Sequence, residues 1–115
     1  MLSFLDITNV PIRLVSGNGY SSGRVEIYLF GTWGTVCENN FNIVAANVAC
    51  KQLGFPGAVS FRGGLYGSGR GKILLEGVNC KGKENSLASC DHLPWGKHNC
   101  EHRQDVGINC ETYRR

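Results

Sequence analysis

Six cysteines, at positions 37, 50, 80, 90, 100 and 110 of a 115-residue chain, constrain this sequence more than any other feature. The count is even, and no neighbouring pair has the CxxC spacing of a redox motif or zinc knuckle, so disulfides are the expected state. Such cross-links persist in an oxidising compartment, which places the chain outside the cell, secreted or as part of an ectodomain. Spacing alone does not choose among the 15 pairings that six cysteines allow. Sixteen glycines against three prolines fit a stapled, turn-rich module with one core, and argue against a helical bundle. No apolar run approaches the roughly 18–20 residues that cross a bilayer, so no membrane insertion by this domain is expected. Residues 1–11 lack a basic n-region and carry Asp6 inside their apolar stretch, and they read as an N-terminal extension or linker.

Periodicity supplies the elements. Ile12–Val15 alternates apolar residues with Arg13 and stops at Ser16-Gly17-Asn18-Gly19, where Asn-Gly signals a turn. Arg24–Leu29 alternates cleanly, with Val25, Ile27 and Leu29 on one face and Arg24, Glu26 and Tyr28 on the other. Thr32–Cys37, β-branched and aromatic, is expected to pair back across Gly31 as a hairpin. The period then changes: Val44 with Val48 and Ala45 with Ala49 repeat at i, i+4 between a capping Asn42 and Gly54, which predicts the main helix. Gly63–Gly71 reads as a long loop, Ile73–Leu75 as a short strand, Glu84–Cys90 as a short helix and Val106–Cys110 as a final strand.

Three patterns resemble catalytic or metal motifs and fail on context. Gly19-Tyr20-Ser21-Ser22-Gly23 matches GxSxG, but a strand follows it where a nucleophile elbow needs a helix. Gly71-Lys72 is followed by Ile73 where a P-loop needs Ser or Thr, so nucleotide-phosphate cradling is excluded. His98 and His102 have zinc-finger spacing, yet a site built from them with Cys80 and Cys90 strands the other four cysteines. Its ligand helix would fall on the turn Leu93-Pro94-Trp95-Gly96, so exposed or core-capping histidines are the expectation. No carboxylate pair or nucleophile–base set remains, and no enzymatic activity or required cofactor is expected. A formal charge of +3 is too small to argue for nucleic acid as a target.

The order of these pieces resembles the scavenger receptor cysteine-rich domain. The resemblance rests on Ile12-Arg13-Leu14-Val15, Gly23–Tyr28, Thr32-Trp33-Gly34-Thr35-Val36-Cys37 and Val48–Gly54. It continues through Val78-Asn79-Cys80 to Leu87, Cys90, His98-Asn99-Cys100 and Asp105–Cys110. It implies a domain over 12–111 with a short tail at 112–115. It also implies an α+β fold, a curved antiparallel sheet cradling one main helix with long loops, and disulfides Cys37–Cys100, Cys50–Cys110 and Cys80–Cys90. Ser21 and Phe55 stand where the eight-cysteine subgroup has its extra pair, so the six-cysteine group A is the nearer pattern.

For function the resemblance implies an extracellular recognition module of a larger secreted or cell-surface protein, often in innate immunity, that binds polyanionic glycans, bacterial surface components or a protein partner. Several relatives hold Ca²⁺ through clustered acids. Here Asn39, Asn42 and Gln104 occupy the first set of ligand positions, and three neutral groups lose most of the attraction that offsets dehydration of the ion. That site is expected to be degraded. At the second, Glu76 and Asn99 match while Gly77 replaces an acid, which leaves room only for weak Ca²⁺ binding. The basic residues point elsewhere: between 51 and 83, six Lys and Arg stand against Glu76 alone. Arg24, Arg62, Arg70 and Lys72 are the expected polyanion contacts, because Arg captures oxyanions bidentately. The alternative is a protein-docking module anchored on Tyr66, Trp95 or Arg70. Oligomeric state is not legible in the sequence.

Overall fold

The computed structural model describes residues 10–113; the first nine residues of the N-terminal extension, and Arg114 and Arg115 of the tail, lie outside the described residues. Strand β1 (Ile12–Ser16) runs antiparallel to β2 (Ser22–Leu29), and β2 turns into β3 (Thr32–Val36). Phe30 and Gly31, at φ 56° and 80°, supply the two left-handed residues that let so tight a hairpin follow strand twist. Helix α1 (Ile43–Gln52) starts where Asn42 Oδ1 accepts the Ala45 N–H at 3.0 Å and ends before Gly54, at φ 95°. Then come β4 (Ala58–Gly63), β5 (Ile73–Leu75) and β6 (Val106–Cys110).

The sheet is one curled layer in the order β4-β6-β2-β3-β5, with β1 on the remaining side of β2. It is antiparallel except for β5, which runs parallel to β3. Strand β4, which carries no clean alternation, was not anticipated; it pairs with β6 from Ala58 to Gly63 across a register shift, so the Gly-rich loop starts only at Gly64. The Glu84–Cys90 segment is shorter than expected, a single 3-10 turn at Leu87–Ser89.

The inner face of the sheet packs Val25, Ile27, Leu29, Val106 and Ile108 against Ala45, Val48 and Ala49 of α1. Val10, assigned by sequence to the extension, is also in this core, and its carbonyl accepts from Gln52 Nε2 at 2.9 Å. The disulfides are Cys37–Cys100, Cys50–Cys110 and Cys80–Cys90, as the family resemblance implies. The second fastens the last turn of α1 to β6. With all six sulfurs so engaged, a zinc site using Cys80 and Cys90 is excluded.

Candidate functional site

Strand β2 carries the centre of the site on the face opposite the core. Its register sets Arg13 of β1 directly across from Glu26, and Trp33 of β3 across from Tyr28. Directly opposed residues are about 5 Å apart at Cβ, so their side chains meet. Arg13 donates to Glu26 Oε1 from Nε at 3.0 Å and from Nη2 at 2.7 Å, and its guanidinium lies 4.1 Å over the Trp33 ring. Tyr28 meets that ring edge-on, with centroids 5.2 Å apart. Arg24 takes the other oxygen, Glu26 Oε2, with Nε and Nη2 both at 3.2 Å, and donates from Nη1 to the Tyr66 carbonyl at 3.2 Å.

The Gly-rich loop folds back over this face. Gly107 of β6 has no side chain, and a Cβ there would stand 2.8 Å from the Tyr66 ring. Gly69 is equally constrained, because a Cβ would stand 2.7 Å from the Thr35 methyl. These two bare positions let the loop lie flat and bring Arg70 to the wall of a shallow groove of about 530 Å³, with Arg13, Arg24, Glu26 and Trp33 as its other main lining groups. Held between Arg13 and Arg24, Glu26 is only 7% exposed, not the solvated acid that strand alternation suggests. Two guanidinium groups hold this carboxylate, and a third arginine, Arg70, lines the same groove.

The four basic residues expected from sequence are therefore divided. Arg24 and Arg70 share the groove. Arg62 lies in the same cross-sheet row as Arg24, with Gly107 between them, but the Tyr66 ring resting on Gly107 separates the two. Lys72 opens instead into a neighbouring cleft with Trp95, His98 and His102. Arg13, absent from the sequence-based set, replaces them. The signal was present: the Asn-Gly turn between two alternating strands opposes Arg13 to Glu26, a cross-strand ion pair.

The carboxamides at the first calcium position have other partners. Asn42 Oδ1 caps α1, Gln104 Oε1 accepts the Glu101 N–H at 2.9 Å, and Asn39 Oδ1 accepts from Gln104 Nε2 at 3.5 Å. At the second position Glu76 Oε1 accepts the Asn99 N–H at 2.8 Å and Oε2 accepts from Asn39 Nδ2 at 3.3 Å. Both oxygens face donors, so this set fits a clasp that ties Asn99 and Asn39 together better than it fits a hard cation. The clusters Cys37/Glu76/Cys100 and Cys80/Glu84/Cys90 offer disulfide sulfur, not thiolate.

A hydrogen-bonded His–Asp pair lies under the loop. His102, in a 3-10 turn at His102–Gln104, places Nδ1 2.8 Å from Oδ2 of the fully buried Asp105 and Nε2 2.9 Å from the Gly71 carbonyl. Sequence reading placed His102 as an exposed or core-capping residue and gave Asp105 no role.

A family model described as the scavenger receptor cysteine-rich domain matches residues 15–111. The chain belongs to the scavenger receptor cysteine-rich family. Among solved structures, the third such domain of murine neurotrypsin superposes with a TM-score of 0.82 at 40% identity, covering 91% of this chain and 99% of that one. The dimeric form of the domain from mouse MARCO gives 0.74 at 39% identity, with 86% and 93% coverage. Lysyl oxidase homolog 2 of Xenopus tropicalis is 46% identical over 111 residues, and galectin-3-binding protein of Mesocricetus auratus is 47% identical over 102. The chain spans 14% and 18% of those two relatives, though 95% and 88% of its own length is matched. This scavenger receptor cysteine-rich domain is a non-catalytic module with three disulfides and the six-cysteine pattern of group A. Its relatives include larger extracellular proteins, and among the described residues no helix is long and apolar enough to cross a membrane.

Proposed function

We propose that this domain works outside the cell as a metal-independent recognition module whose groove captures sulfate, phosphate or carboxylate groups of polyanionic glycans or bacterial surfaces. One observation carries the reading: Arg13, Arg24 and Arg70, from two strands and a loop far apart in sequence, converge on one groove that holds a single carboxylate. Glu26 orients Arg13 and Arg24, and Arg70 has no acidic partner among the described residues, so the groove keeps positive charge for an incoming anion. Retention on immobilised heparin and on sulfated dextran at two ionic strengths tests this. The wild-type domain is expected to bind and to elute early in salt, and Arg13→Ala/Arg70→Ala to lose most of its retention. Absence of wild-type retention at low salt, or equal retention by the double variant, rejects the reading.

A second reading, docking of a protein partner, is favoured by the tip of the β2–β3 hairpin, where Phe30 is 72% exposed beside Tyr28. Tyr66 and Trp95, the aromatic anchors considered from sequence, are half-buried. Binding of a protein that tolerates salt and is lost on Phe30→Ala distinguishes this reading from the first.

A further inference from the structure

Arg70 is flanked on both sides by contacts to one His–Asp pair. The residue before it, Gly69, donates its N–H to Asp105 Oδ2 at 2.7 Å, and the carbonyl of the residue after it, Gly71, lies 2.9 Å from His102 Nε2. His102 Nδ1 faces the same Asp105 oxygen at 2.8 Å. Both ring nitrogens therefore face acceptors. A neutral imidazole has one N–H and must turn a lone pair toward either the carboxylate or the carbonyl, whereas the imidazolium donates to both. Asp105 reinforces the demand for a proton: it is fully buried, and its Oδ1 has no hydrogen-bond partner among the described residues.

The groups facing His102 come from several elements. Thr35 Oγ1 of β3 lies 3.5 Å from Nδ1, and Arg24 of β2 opposes the ring's charge. Lys72, His98 and Glu101 share the cleft on its open side. Burial disfavours the charged ring and is the largest single influence. The Gly71 carbonyl, and then the Asp105 hydrogen bond and charge, outweigh it together with the repulsion from Arg24, and the pKa lies above the ordinary 6.5.

We infer that protonated His102 is a latch for the anion groove: the imidazolium ties the Gly71 carbonyl to Asp105, whose carboxylate holds the Gly69 N–H, so that Arg70 is fixed between them, and losing the proton loosens the loop and weakens capture. Its functional half rests on the polyanion reading; the latch itself does not. Because the folded-state pKa is raised, anchoring is complete below the unfolded value of 6.5 and is lost as pH rises through the folded value. Capture is thus stronger in a mildly acidic setting than in an alkaline one.

The test combines two readouts on the intact domain between about pH 5.5 and 9, a range that brackets histidine titration. Amide NMR follows the His102 ring, the Gly69 protection factor and the Arg70 backbone shifts; heparin affinity is measured in parallel for wild type and His102→Gln. Gly69 protection and the Arg70 shifts are expected to follow the His102 titration. Wild-type affinity is expected to fall roughly threefold to tenfold across it, the scale of one hydrogen bond. His102→Gln should show a much shallower pH dependence than the wild type. Gly69 protection that ignores the His102 titration overturns the latch, and this wild-type readout stands even if the variant fails to fold. Protection that follows the titration while both proteins share one affinity profile overturns the link to capture. Absence of heparin binding at every pH overturns the polyanion reading, and the functional half with it, while the Gly69 profile still decides the latch.

Discussion

Replacing Glu26 by Gln removes the only carboxylate from a groove that holds three arginines, and the structure assigns opposite signs to its effects on binding and stability. The carboxylate lies 2.7 Å from Arg13 and 3.2 Å from Arg24, so an anion seated on the outer edges of those guanidinium groups is on the order of 6 Å from it. Two unit charges at that distance repel by about 0.7 kcal/mol in water and about 3 kcal/mol at the effective dielectric of a protein surface. The groove is open to salt solution, where screening acts within about 8 Å, so the lower value is the better guide and affinity should rise roughly threefold. Stability should move the other way. Arg13, 44% exposed, recovers water, but Arg24 has a side chain only 12% exposed and loses its counter-charge. A cost of about 1–3 kcal/mol follows, since the amide oxygen still accepts one hydrogen bond. Titration calorimetry with a sulfated oligosaccharide and urea denaturation measure the two quantities separately. If Glu26→Gln weakens both binding and stability, the aiming of the arginines by Glu26 outweighs its repulsion of the ligand, and the predicted gain in affinity is refuted.

Three further outcomes are expected. Removing Cys80–Cys90 as a double Ser variant should cost about 3 kcal/mol and leave a folded domain, whereas removing Cys50–Cys110 should cost about 4 kcal/mol, because the loops closed span 10 and 60 residues; equal losses in urea denaturation would contradict the loop-entropy account. Asn42→Ala should cost about 1 kcal/mol through the lost helix cap, and calorimetric titration of the wild type with Ca²⁺ should give no saturable heat at millimolar ion. Saturable uptake would overturn the reading of Glu76, Asn99 and Asn39 as a clasp and not a cation site.

What the sequence disclosed followed from how local each signal is. The inward face of β2 is legible because Val25, Ile27 and Leu29 alternate with polar residues, and α1 is legible because Asn42 and Gly54 bracket an i, i+4 pattern. Strand β4 escaped because Val59 and Ser60 are both exposed, so the segment shows no two-residue period; only its pairing with β6 makes it a strand. The burial of Glu26 was illegible for a related reason. Alternation says which face a residue occupies, not whether other side chains on that face will close over it, as Arg13 and Arg24 close over Glu26. The link of Asp105 and His102 to the loop was illegible because the groups they hold there, the Gly69 N–H and the Gly71 carbonyl, are backbone groups over 30 residues away. The disulfide pairing came from family resemblance, which carries long-range information that spacing lacks.

The two long-range cross-links also impose an order of events on biogenesis. Cys37 and Cys50 precede their partners by 63 and 60 residues, so at a synthesis rate of about 5–20 residues per second they wait roughly 3–12 s for them. During that interval each is the other's nearest available thiol. Both thiols therefore have to stay unpaired, or be freed again by thiol exchange, until the C-terminal strand arrives.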